Sequence, residues 1–101
     1  MRLRFITLSA IFALSTVPML GDGGQAYKAK CAICHGPDGS GQTPTGKTLN
    51  VRDLRSAEVQ KQTDAELAKV VSTGKGKMPA YGKQLSDADV AALVAFIRTL
   101  K

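Results

Sequence analysis

The chain has 101 residues, which is room for one domain. Its formal net charge of +6 is carried by dispersed lysines, without the dense basic stripe and stacking aromatics that would make a case for nucleic-acid binding. The aromatics are Phe5, Phe12, Tyr27, Tyr81 and Phe96, with no Trp; a small domain with so few large side chains needs a staple, and a large apolar cofactor would fill its core.

Met1-Arg2-Leu3-Arg4 is a short positive opening. Phe5 to Val17 is then apolar apart from Thr7, Ser9, Ser15 and Thr16, and Pro18 and Gly21 end the run. This pattern reads as a secretory signal, and it is too short to span a bilayer comfortably. We therefore expect residues 1–21 to be a signal peptide or an uncleaved N-terminal anchor, and residues 22–101 to be the functional domain. Either arrangement puts that domain outside the cytoplasm, in the periplasm, with membrane attachment only if the segment stays uncleaved.

The remainder reads as helices joined by Gly- and Pro-rich loops, with no alternating β-branched stretch long enough for a strand. A first helix is expected over Asp22 to Ile33. The density of Gly and Pro from Gly36 to Gly46 excludes regular structure there. A short helix is expected over Ser56 to Lys61. A clearer one starts at Thr63, where Thr63 and Glu66 have capping-box spacing, Leu67, Val70 and Val71 form an apolar stripe, and Gly74 supplies a stop. A loop from Gly74 to Leu85 contains Met78-Pro79. In the last helix Ser86 and Asp89 form a second capping box, Leu85 and Val90 are placed for a hydrophobic staple, and Leu93, Phe96, Ile97 and Leu100 share one face.

The two cysteines and the one histidine fall within Cys31-Ala32-Ile33-Cys34-His35. The C-x-x-C-H pattern is read as c-type haem attachment. Cysteines almost one helical turn apart bring both thiols to the vinyl groups on one edge of a porphyrin, and the adjacent histidine projects toward the iron. A structural zinc site needs four N or S ligands and finds three here. A thioredoxin-like pair expects a βαβ context that is absent. A plain disulfide leaves the histidine unexplained.

The second iron ligand follows by elimination. Met1 is the initiator and Met19 lies in the targeting segment, which leaves Met78. Pro79 biases Met78 toward an extended backbone, and Gly74, Gly76 and Gly82 let the loop fold tightly against a flat surface. The expected haem site is thus Cys31, Cys34, His35 and Met78, with His35 and Met78 on the iron.

Cys-x-x-Cys-His-Gly, the Gly-rich loop, the mid-chain helix, Gly-Lys-Met-Pro-Ala-Tyr and a C-terminal helix ending Val94-Ala95-Phe96-Ile97-Arg98 resemble a small bacterial class I cytochrome c. The similarity covers Gly24 to Lys101. It implies an all-α fold with crossed N- and C-terminal helices and a mid-chain helix around one covalent haem, with Gly24 and Tyr27 against Phe96 at the crossing. It also implies a backbone carbonyl accepting the second ring nitrogen of His35, with Pro37 and Pro44 both open as its source.

Two protein ligands on the iron leave no open position, which favours electron transfer over catalysis. The expected function is a single-electron carrier, not an enzyme and without a small-molecule substrate, serving respiratory reductase, oxidase or dehydrogenase partners. One alternative is a bound cytochrome subunit of an oxidase or dehydrogenase; another is a haem enzyme or gas sensor with Met78 off the iron. Ile33, Leu49, Val51, Leu54, Leu67, Val70, Val71, Tyr81, Leu93 and Ile97 are candidates for the apolar wall. Arg52, Arg55, Lys77 and Tyr81 are candidates for holding the propionates. Lys28, Lys30, Lys47, Lys75, Lys77 and Lys83 flank the haem-binding segments and are expected to steer an acidic partner.

Overall fold

A computed structural model describes residues 22–101; the signal-like segment, with Met1 and Met19, lies outside the described residues. Helix α1 (Gly23–Lys30) starts at Asp22, whose carboxylate accepts the Gln25 N–H at 3.3 Å. The expected continuous first helix breaks at Cys31, where φ is −109°, well away from helical values. The chain restarts as α2 (Ala32–His35).

Helix α3 (Pro44–Leu49) corrects the reading of the Gly/Pro-rich stretch as wholly irregular. Thr43 caps it by accepting the Gly46 N–H at 2.9 Å, and Pro44 occupies the first helical position, where its missing N–H costs nothing. Asn50 ends it in the left-handed region at φ 54°. Helix α4 (Ala57–Gln60) is capped by Ser56. Helices α5 (Asp64–Thr73) and α6 (Asp87–Arg98) both begin with the capping boxes expected, Thr63 with Glu66 and Ser86 with Asp89. No strand occurs among the described residues, only an isolated bridge between Lys75 and Met78.

The terminal helices cross at close range. Gly23 is buried, and a Cβ there would overlap the carbonyl of Ala92, so only glycine allows this approach. A Cβ on Gly24 would sit 3.4 Å from the Phe96 ring, and the Tyr27 and Phe96 rings are tilted at 43° with centroids 4.9 Å apart. The crossing expected from Gly24, Tyr27 and Phe96 is therefore present, with Gly23 as its tightest point. Helix α6 feeds two core clusters: Val90 and Leu93 pack with Tyr27 and Val71, while Val94 and Ile97 pack with Val59 and Leu67. Leu85 packs against the first cluster, as a staple residue should.

The end of α6 is clamped to the α4–α5 connection. The Arg98 guanidinium donates to the carbonyls of Gln60, at 2.7 Å, and Gln62, and to the Asp64 carboxylate at 3.0 Å. The Gln60 side-chain amide donates in turn to the carbonyls of Leu54 and Ile97.

Candidate functional site

A cavity of about 510 Å³ opens among these elements, within the roughly 300–1,000 Å³ typical of ligand sites. Cys31, Cys34, His35 and Met78 all line it. The rest of the lining is mostly apolar: Leu49, Val51 and Leu54 come from α3 and the stretch after it, Leu67, Val70 and Val71 from α5, Tyr81 from the next loop, and Leu93 and Ile97 from α6. Nine of the ten expected wall residues are thus in place. Ile33 is not; it is 68% exposed, while Cys34 and His35, on the same short helix, line the cavity.

The attachment segment is held from several sides. The His35 Nδ1–H donates to the backbone carbonyl of Arg52 at 3.3 Å. A carbonyl can only accept, so this bond fixes the tautomer and leaves the lone pair on Nε2. Burial holds the imidazole below its ordinary pKa, partly offset by the Arg52 bond, which favours the neutral ring that can ligate. Neither Pro37 nor Pro44 supplies the carbonyl. Pro44 is taken up in starting α3, beside Thr43, whose hydroxyl lies 2.9 Å from the carbonyl oxygens of both Ile33 and Cys34. Both cysteines are free and half-buried, and burial pushes the Cys31 thiol up to about 11.

Met78 sits in a loop stitched back onto α5. The Lys75 and Met78 backbones exchange N–H···O bonds of 3.2 and 2.9 Å, and the N–H groups of Tyr81 and Gly82 donate to Val71 and Ser72 carbonyls. Gly74 turns the chain at φ 75°, where a Cβ would come within 2.6 Å of the Met78 carbonyl oxygen. The glycine-dependent tightness expected of this loop is borne out at Gly74.

Among the polar candidates, Arg52, Lys77 and Tyr81 line the cavity, as do Lys30 and Lys75. Arg55 does not; Asp53 holds its guanidinium at 3.0 Å and Asp38 lies 3.8 Å away. Tyr27, Val59, Gln62 and Pro79 also line the cavity and were not expected there. The spacing of Tyr27 four residues before Cys31 was the available signal, since i and i+4 share a helix face.

Two thiols, an imidazole and a thioether are a soft donor set. Among the described residues no cluster of three or more His, Cys, Asp or Glu is able to hold a bare metal ion. A large apolar cavity with so few donors fits a group that brings its own metal and its own apolar surface, and a porphyrin iron is such a group.

Known proteins point to the same chemistry. Residues 18–97 match the protein family described as "Cytochrome C oxidase, cbb3-type, subunit III". The chain is 36% identical over 98 residues to cytochrome c6 of Picosynechococcus sp., covering 89% of this chain and 83% of that protein. It is 31% identical over 84 residues to the cbb3-type cytochrome c oxidase subunit FixP of Azorhizobium caulinodans, covering 82% of this chain and 28% of the relative. Among solved structures, the KustC0563 c-type cytochrome aligns with a TM-score of 0.73 at 33% identity, over 79% of this chain and 98% of that one.

Proposed function

Because the chain belongs to the c-type cytochromes, in the family described as cytochrome c oxidase, cbb3-type, subunit III, we propose a residue-level account of how it carries electrons. It takes one covalent c-type haem and passes single electrons between redox proteins. Cys31 and Cys34 would hold the group through thioether links, and His35, through Nε2, and Met78 would hold its iron. The observation carrying this reading is that all four side chains, drawn from two distant segments, line one largely apolar cavity. When bound, the haem supplies an iron that cycles between ferrous and ferric states.

The chain's own residues do the rest. The Arg52 carbonyl orients His35 and raises its basicity as a ligand. Leu67, Val70, Val71 and Leu93 keep water away, which disfavours the more highly charged ferric state and raises the potential. With His35 and Met78 both on the iron, no position would be left for a substrate, which favours electron transfer over catalysis. Lys30, Lys75 and Lys77 at the cavity, with the exposed Lys28, Lys47 and Lys83, present positive charge to an acidic face on a respiratory reductase, oxidase or dehydrogenase. Residues 1–21 serve as an export signal and the carrier works in the periplasm.

Optical spectra test this assignment. A low-spin spectrum with the weak near-infrared sulfur-to-iron band, and no carbon monoxide binding, is expected; high-spin iron that binds carbon monoxide readily would overturn the Met78 assignment. The family match and the FixP relative favour a second reading, a cytochrome c subunit held in an oxidase or dehydrogenase complex. Cell fractionation with N-terminal sequencing of the mature protein separates the two: a free periplasmic chain supports the carrier, and a membrane-retained one the bound subunit.

A further inference from the structure

Two phenol hydroxyls bracket the C-x-x-C-H segment. Tyr27, on α1, donates its hydroxyl to the Gly36 carbonyl at 2.6 Å, one residue past His35. Tyr81, in the methionine loop, donates to the Lys30 carbonyl at 3.3 Å, one residue before Cys31. Both rings also line the cavity.

The two bonds differ in what they join. Tyr27 is 2% exposed, its ring is fixed against Phe96, and its hydroxyl braces the histidine end. The Gly36 carbonyl also accepts the Gly39 N–H at 3.1 Å, so the phenol is not there merely to satisfy a buried acceptor. The Tyr81 hydroxyl reaches across 51 residues of sequence and ties the loop that bears Met78 to the start of the attachment segment. A second side-chain bond, Lys30 Nζ to Gln84 Oε1 at 3.2 Å, closes the same joint.

We propose that Tyr27 and Tyr81 are positioning residues, Tyr27 setting the orientation of His35 and Tyr81 holding the Met78 loop closed over the haem. The proposal rests on the ligand assignment above. A loop that opens more often presents its thioether less often, so an added ligand competes better for the iron. Losing one neutral hydrogen bond changes such an equilibrium by about five-fold.

The test uses the exported holoprotein and the variants Tyr27→Phe, Tyr81→Phe and Phe96→Leu. The last alters packing against Tyr27 without touching either hydroxyl. Ferric protein is titrated with imidazole, and the hyperfine-shifted proton resonances of His35 and the Met78 methyl are followed by NMR. Tyr81→Phe is expected to bind imidazole about five-fold more tightly, with the His35 resonances in place. Tyr27→Phe is expected to move the His35 ring resonances and leave imidazole affinity within about two-fold, a change smaller than one hydrogen bond. Phe96→Leu should lower the melting temperature and leave imidazole affinity within about two-fold.

If both phenylalanine variants shift only the melting temperature, the hydroxyls are ordinary structural bonds and the proposal is wrong. Should Tyr27→Phe accumulate no holoprotein, the Tyr81→Phe titration decides alone: an unchanged affinity overturns the proposal and a tightened one supports it. A parent protein lacking covalent haem or the Met78 methyl signal would instead defeat the ligand assignment itself.

Discussion

The rings of Tyr27 and Phe96 meet 4.9 Å apart where α1 crosses α6, and Gly23 one turn earlier brings the two helices into backbone contact with Ala92. This crossing closes the domain behind the cavity. It links the sequence near the attachment segment to the far end of the chain.

Gly23→Ala is therefore expected to destabilise the protein. The added methyl overlaps the Ala92 carbonyl, which is backbone and cannot step aside cheaply. Overpacking of this kind costs about 2 kcal/mol. Denaturant titration of the holoprotein should show a lower midpoint with an unchanged slope; an unaltered midpoint would mean the helices do not approach this closely.

The Arg98 clamp should act on stability and not on redox chemistry. Arg98→Met removes donors to the Gln60 and Gln62 carbonyls, at a cost of about 2 kcal/mol for charge-assisted bonds. The Asp64 side chain is 79% exposed, so that ion pair adds little. The melting temperature should fall while the reduction potential holds. A shifted potential would show that the clamp reaches the iron.

Stability should also fall in alkali through Tyr27. Burial, the largest cause, raises its pKa from 10.0 to about 12. The folded state therefore keeps its phenol proton where the unfolded chain has lost it. By linkage the contribution is fully present below pH 10 and is lost as pH rises through about 12. Denaturant midpoints across this range should decline, and Tyr27→Phe should flatten the decline. An equally steep decline in the variant would assign the effect to another group.

Met78→Ala is expected to retain covalent haem but lower the potential, by on the order of 0.1 V within the roughly 0.8 V that axial ligands govern. It should also open the iron to carbon monoxide. An unchanged potential, measured by redox titration, would remove Met78 from the iron.

Much of this architecture is legible in the chain because local chemistry and fold agree. Thr63 with Glu66 and Ser86 with Asp89 mark their helix starts by side chain alone, and both capping boxes form. The wall residues Leu67, Val70, Val71, Leu93 and Ile97 follow from helical periodicity. What stays hidden depends on tertiary placement. The break at Cys31 and the outward turn of Ile33 leave no compositional trace, so an apolar residue between two cysteines reads as wall when it is surface. The Arg52 carbonyl that orients His35 is backbone, and any residue carries one. Arg55 looks like an anion partner until Asp53 and Asp38 are seen to hold it. Helix α3 was readable, since Thr43-Pro44 is a cap followed by an N-terminal proline, but the surrounding glycines masked it.

Intact-mass spectrometry of the exported protein tests the central claim most directly. The account predicts the polypeptide plus one haem, retained under denaturing conditions, with the extra mass on the peptide that contains Cys31 and Cys34. A bare polypeptide mass, with both thiols free or joined only to each other, would contradict it.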